Sequence, residues 1–296
     1  MAKNSFYIMA AGGLWGIISI FINILKDIGF NSLQCVAIRA FFTALLLFFY
    51  LFLGDNRRLK IKKRDIIFFV GTGIGSIVFF NYCYFQAIEV IGGAAVPALL
   101  LYTAPVFVML LSALLFREKI TEKKIISLIL TFIGLGFVTG AFLGKESLTI
   151  AALLLGLGSG LGYALYSIFG KFVVEKYDAF TITFYTFFIA AVAAVPMSGI
   201  IHSVNLLFCT KGIIAAVGLA FFCTVLPFIL YTKGLHGVEA GKASILATVE
   251  PLVAAIVGGI VYGEKFTITK IAGMFLIMVA VIMLNIKEKS DVLAKK

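Results

Sequence analysis

The chain has 296 residues, 62% of them apolar and 13% charged, with 25 Lys and Arg against 14 Asp and Glu for a net charge of +11. A soluble domain averages about 45–50% apolar and 25% charged residues. This chain therefore holds more apolar surface than water would tolerate, which excludes a disordered chain, a charge-driven nucleic-acid binder and an ordinary soluble enzyme. At about 20 residues per crossing, the apolar stock suffices for nine or ten membrane-spanning helices.

Apolar runs separated by short polar punctuation predict helices near 6–25, 33–53, 66–87, 94–116, 125–142, 150–170, 181–201, 212–235, 243–262 and 271–286. Pro196 interrupts the seventh run. The first run follows Lys3 and reaches Leu25, too long for a cleaved leader and followed by further spans, so it reads as a membrane helix. Lys and Arg gather in alternate loops. One side takes Lys3, the six basic residues of 57–64, those of 117–124, Lys171, Lys176, Lys233, Lys242 and the tail from Lys287. The other takes Lys26, Lys145, Lys211, Lys265 and Lys270. The positive-inside rule then puts both termini in the cytoplasm of a multi-pass plasma (cytoplasmic) membrane protein. The basic charge is accounted for by topology, with no nucleic-acid partner. Cys35, Cys83, Cys209 and Cys223 form no C-x-x-C pair and read as buried small hydrophobes, with a Cys35–Cys209 disulfide as the alternative.

The chain repeats itself. Ala104-Pro105-Val106 through Thr121 matches Glu250-Pro251-Leu252 through Thr267, pairing Glu118 with Glu264, Lys119 with Lys265 and Lys124 with Lys270. Earlier, Gly12 pairs with Gly160 and Ser19-Ile20-Phe21 with Ser167-Ile168-Phe169. Each half then holds five helices. Because five is odd, the second copy crosses in the opposite sense, as in secondary transporters. The expectation is an all-α integral membrane protein of ten transmembrane helices in two inverted five-helix repeats, 1–144 and 145–288, with a short cytoplasmic tail at 289–296.

Trp15-Gly16, Ile38-Arg39-Ala40, Glu250-Pro251-Leu252-Val253, Gly263-Glu264-Lys265 and Gly273, in that order within a duplicated chain, resemble the EamA family of the drug/metabolite transporter superfamily. The resemblance covers essentially the whole chain. It implies a ten-helix bundle of two inverted repeats that exports or exchanges small metabolites, often amino acids. The first half departs from the pattern where Ala104 stands in place of an acidic residue before proline, so any role of Glu250 is not duplicated.

Within the spans, charge is scarce and expensive. Glu250 lies about seven residues into its run, close to mid-bilayer at 1.5 Å per residue. It reads either as a group that titrates a proton or binds a substrate amine, or as a hydrogen-bonded link between helices. Arg39 lies about 9 Å inside its run, and either snorkels to the outer interface or faces a cavity, to hold a substrate carboxylate or pair with Glu250 or Glu89. Trp15, beside Gly12, Gly13 and Gly16, joins Tyr82, Tyr102, Tyr163, Tyr166 and Tyr231 as candidate substrate contacts. Asn81, Tyr84 and Gln86 are further polar groups within the spans. Glycines four apart (Gly12/Gly16, Gly71/Gly75, Gly136/Gly140, Gly156/Gly160, Gly158/Gly162, Gly259/Gly263) suit close helix packing.

No nucleotide cradle is present, since Ala243 follows Gly241-Lys242 and His236 stands where the upstream glycine belongs. His202 and His236 lack partners at metal-ligand spacing. No cofactor is called for. The reading is a secondary active transporter, an exporter of small metabolites such as amino acids by alternating access. Its partners are a small-molecule substrate, the lipid bilayer and, as a coupling ion, the proton, with a monomer sufficient and the oligomeric state open. A proton-independent facilitator or exchanger is the alternative. A membrane-embedded enzyme would need a second acid or a histidine near Glu250, and a channel would need a ring of like groups or a loop filter.

Overall fold

Helices start where a short polar side chain can take up the free N–H groups of the first turn. Asn31 and Gln34 form a reciprocal capping box, and Thr121, Thr149, Asp178 and Thr267 each cap a helix start. Helices stop where glycine can turn left-handed, at Gly29, Gly92, Gly140, Gly199 and Gly263. The computed structural model describes residues 2–142 and 149–286. Lys145, the boundary at 144 and 145, and the tail from Lys287 lie outside the described residues.

In chain order the helices are α1 (Ala2–Gly16), α2 (Ile18–Ile28), α3 (Ser32–Leu53), α4 (Ile66–Val70), α5 (Phe79–Ile91), α6 (Ala95–Leu101), α7 (Ala104–Phe116), α8 (Glu122–Thr139), α9 (Ile150–Val173), α10 (Ala179–Ser198), α11 (Thr210–Ala220), α12 (Leu226–Gly237), α13 (Ala240–Leu246), α14 (Val249–Tyr262) and α15 (Ile268–Asn285). Wider π-helical turns, Gly71–Val78 and Phe221–Val225, join α4 to α5 and α11 to α12. Counted across these turns and across the short breaks between α1 and α2, α6 and α7, and α13 and α14, nine segments among the described residues are long and apolar enough to cross a membrane. A further helix, α8, matches the last of them at 18 residues, but its first turn carries Glu122, Lys123 and Lys124.

The helices mostly extend a few residues past the predicted edges, but two predicted spans overreach by three residues. The fifth helix ends at Thr139 rather than 142, and the seventh at Ser198 rather than 201, because Gly140 and Gly199 take φ values of 75° and 63°. Pro196 sits inside α10 without ending it, and a 3-10 segment, Ile200–Phe208, follows. All four cysteines are free, with Cys209 exposed and the others buried.

The surface is the reverse of a soluble protein's. Leu53, Leu114, Ile260 and Ile268 are each more than three-quarters exposed, while Thr43, Thr72, Ser76, Thr183, Thr186 and Thr224 are wholly buried. Lipid makes the outside apolar and drives polar groups inward.

The packing is reciprocal between the two parts of the chain. Helix α1 lies against α12, α13 and α14, and α9 lies correspondingly against α5, α6 and α7. The like pairs α3 with α10 and α8 with α15 pack on each other. Glycines set the separations: a Cβ on Gly12 would come within 2.6 Å of the Ala247 carbonyl oxygen, and one on Gly160 within 2.9 Å of the Leu100 carbonyl oxygen. Gly140 and Gly263 are different, since nothing lies within 4 Å of a Cβ there and they serve as helix caps.

Candidate functional site

Where α1, α3, α5, α6, α9, α12 and α14 converge, they leave a cavity of about 400 Å³. Glu250 enters it because the span Ala240–Tyr262 is broken between α13 and α14, with Pro251 in the first turn of α14. The carboxylate thus projects from the start of a helix, where the peptide dipoles favour negative charge. It accepts a hydrogen bond from the Tyr163 hydroxyl at 3.0 Å, and Tyr102 lies within reach of it.

Arg39, from α3, lines the same cavity. It is 6% exposed, so it does not snorkel outward, and its guanidinium lies 5.9 Å from the Phe187 ring. Its Nε is buried without a hydrogen-bond partner, and it forms no direct ion pair with Glu250 or Glu89. Glu89 instead accepts from Gln86. A buried guanidinium N–H left unpaired is costly, and the residue that carries it lines the cavity.

The deep wall is aromatic. Trp15 packs edge-on to Phe228 and Tyr163 and at a tilt to Tyr231, with centroids 5.1, 6.3 and 5.5 Å away. The Tyr231 hydroxyl is held by Ser167 at 2.7 Å and that of Tyr166 by Thr232 at 2.8 Å. Both residues line the cavity with their hydroxyls already bonded. Tyr82 does not join them. It is 43% exposed on the outer face of α5, and the side chains of that helix that line the cavity are Phe80, Asn81, Tyr84 and Phe85. Ser76, from the π-helical turn, was not singled out in the sequence. Its hydroxyl is buried and unpartnered, and a short polar residue in an apolar run was its only signal.

The cavity walls continue to Ser32, Thr139, Glu264 and Lys270, with Glu264 exposed at that mouth. At the opposite end the halves are tied together. Glu118 accepts from the backbone N–H groups of Ala240 and Gly241, and Lys124 reaches Glu239 at 2.7 Å. Within the second half, Lys171 donates to the carbonyls of Leu235 and Val238. No cluster of side chains suited to a metal ion occurs among the described residues.

The model of the EamA-like transporter family matches residues 3–140 and again 150–286. The chain belongs to the EamA-like transporter family. It is thus a multi-pass membrane transporter and not an enzyme, and its medium is the lipid bilayer. It is 31% identical over 280 residues to an uncharacterized transporter of Archaeoglobus fulgidus, covering 93% of each chain. It is 24% identical to the uncharacterized inner membrane transporter YicL of Salmonella typhimurium, over 97% of this chain and 96% of the other. The uncharacterized transporter YetK of Bacillus subtilis is also 24% identical, over 85% of this chain and 78% of its own. A solved crystal structure superimposes with a TM-score of 0.79 at 14% identity, covering 96% of this chain and 97% of the other, a likeness of fold.

Proposed function

We propose that this transporter moves a small zwitterionic metabolite, of the amino-acid class, outward across the plasma membrane by alternating access of two inverted five-helix repeats, 1–144 and 145–288. The observation that carries the reading is that Arg39 and Glu250 line one cavity, the first with an unpartnered buried Nε. A substrate carboxylate would meet the guanidinium and its ammonium would meet Glu250. The aromatic wall of Trp15, Tyr84, Tyr163 and Phe228 would take an apolar side chain. A volume of about 400 Å³ lies within the range of small-molecule sites.

Helix α8 serves as the fifth crossing, its first-turn charges lying at the membrane boundary and its apolar remainder packed along α15. With five crossings per half, the halves run in opposite senses, and the Lys- and Arg-rich loops face the cytoplasm together with both termini. The broken spans beside Pro105 and Pro251 support a midplane site, as in other inverted-repeat carriers. Protons are the proposed coupling ion, with Glu250 as the group that carries them.

Counterflow into liposomes tests the reading. Labelled amino acids, amines and organic acids are compared with and without a pH gradient, in the parent and in Glu250→Gln. A zwitterion exchanged by the parent, with loss of its pH dependence in the variant, is the expected result. Retained pH dependence in Glu250→Gln refutes proton carriage by that residue. Transport of amines or organic acids alone refutes the substrate class.

A further inference from the structure

Glu118 and Glu264 occupy matching turns. Each follows a residue in the left-handed conformation, Arg117 at φ 56° or Gly263 at φ 68°. Each donates its backbone N–H back one turn, to the Ser112 carbonyl at 3.3 Å or the Gly258 carbonyl at 3.1 Å. Their side chains then part company.

Glu118 crosses to the other half of the chain. Its carboxylate accepts the N–H of Ala240 at 2.7 Å and of Gly241 at 3.1 Å, the first groups of the span Ala240–Tyr262. Glu264 stays within its own half. It lies over Gly258, where an added Cβ would come within 2.6 Å of its Oε2, and it bonds the Lys270 ammonium at 2.6 Å. By the repeat, the contact that matches Glu118's would be to the N–H groups of Ala94 and Ala95, at the start of the span Ala95–Phe116. Glu264 does not make it here. The cavity is open at Glu264 and stops short of Glu118.

We infer that Glu118 and Glu264 are alternating latches that position the two gates. In the state seen, Glu118 holds the far end shut. In the opposite state Glu118 lets go, and Glu264 leaves Lys270 for the amides of Ala94 and Ala95, closing what is now the mouth. A carboxylate taking two neighbouring N–H groups makes strong, charge-assisted bonds that form and break without desolvating a side-chain cation. The latches are unequal. Lys124, 5% exposed, reinforces the Glu118 end through Glu239, whereas Gly93 stands at the position matching Glu239 and offers Lys270 no carboxylate. The state with the mouth at Glu264 is therefore the resting one.

The latch rests on the transporter reading and its opposed repeats, and the test separates the two. Ala98 and Ser244 are repeat mates. Ala98 is half-buried on the cavity wall, and Ser244 is 7% exposed beyond the closed end. In a full-length chain freed of its own cysteines, Ala98→Cys and Ser244→Cys are labelled with a membrane-impermeant maleimide from either face of vesicles. Loss of one charge-assisted pair should shift the two-state balance by about ten- to a hundredfold. Glu118→Ala should raise the Ser244→Cys labelling rate by that factor and lower that of Ala98→Cys. Glu264→Ala should do the reverse. Gly241→Pro, which removes one donor N–H at a first-turn position that tolerates proline, should act in the direction of Glu118→Ala.

Unchanged rates in Glu118→Ala and Gly241→Pro, or the same direction of change in Glu118→Ala and Glu264→Ala, would overturn the latch. The two reporters labelling from one face in the parent would overturn the opposed repeats themselves.

Discussion

Replacing Gly16 by alanine adds one methyl group where the end of α1 crosses α14. A Cβ there would lie 2.6 Å from the Val253 Cβ, 2.8 Å from the Glu250 carbonyl oxygen and 2.9 Å from the Val253 Cγ1. The Val253 Cγ1 can turn about χ1, but the Val253 Cβ and the Glu250 carbonyl oxygen cannot move away without moving the backbone. Since carbon contacts settle near 3.5–4.0 Å, the two helices must part by about 1 Å. Overpacking of that kind costs about 1–3 kcal/mol, and here it also displaces Trp15 and Glu250. Gly13, on the same helix, is the control: its Cβ would meet only the Val253 Cγ2 at 3.8 Å, an ordinary contact. Alanine there removes glycine's entropic disadvantage in a helix, about 0.5–1 kcal/mol. The two substitutions should therefore move stability in opposite directions. Thermal melts of detergent-purified protein, followed by size exclusion, read the effect at roughly 2–4 °C per kcal/mol. Gly16→Ala should melt lower than the parent and Gly13→Ala at or above it. If both melt with the parent, or fall equally, the close approach of α1 to α14 is not what those glycines provide.

The native cysteines test orientation and access together. Cys209 is exposed and Cys35 lines the cavity, whereas Cys83 and Cys223 are buried away from its walls. An impermeant thiol reagent on intact cells should label Cys209 quickly, Cys35 slowly and with protection by substrate, and the other two not at all. Labelling of Cys209 only in inverted vesicles would reverse the topology. At the other face, Asp65 is 1% exposed and takes the Lys176 ammonium and the Tyr177 hydroxyl, each at 2.8 Å. Asp65→Asn should lower the melting temperature more than Lys176→Met, because Lys176 is 41% exposed; equal losses would count against a structural role for the buried carboxylate. Tyr82→Phe, at an outward position, should leave counterflow within about twofold. Arg39→Lys, which loses the planar fork, should weaken it by roughly tenfold. A strong effect of the first or none of the second would redraw the site.

The spans were legible because lipid demands long apolar runs, and their edges less so because apolar residues continue past the glycines that stop the helices. Phe142 and Ile201 fall within the predicted spans for that reason. The breaks before α7 and α14 were not expected, since 94–116 and 243–262 read as continuous apolar runs although Pro105 and Pro251 stand beside the breaks, and the π-helical turns at Gly71–Val78 and Phe221–Val225 carry no residue signature. In the site, Glu250 and Arg39 stood out because charge within an apolar run needs a reason. Tyr82 and Tyr84 looked alike in composition, and only helical phase separates them: Tyr84 shares a stripe with Asn81, Phe80 and Ile77. The tie at Glu118 left no trace in sequence beyond the repeat, since its partners are backbone N–H groups that any residue supplies.

The pairing of charges around the cavity has an electrical consequence. If Arg39 and Glu250 are both ionised on its wall, with Glu264 bonded to Lys270 at its mouth, the site carries no net charge. A zwitterion adds none. Empty and loaded carriers would then cross the membrane field at equal charge, and transport of a zwitterion without proton coupling would be indifferent to voltage. The proton-coupled cycle, in which Glu250 returns protonated, or a net-charged substrate would move one elementary charge and feel about 2.3 kcal/mol per 100 mV. A potassium-diffusion potential imposed on the same liposomes would therefore report which charge state makes the journey.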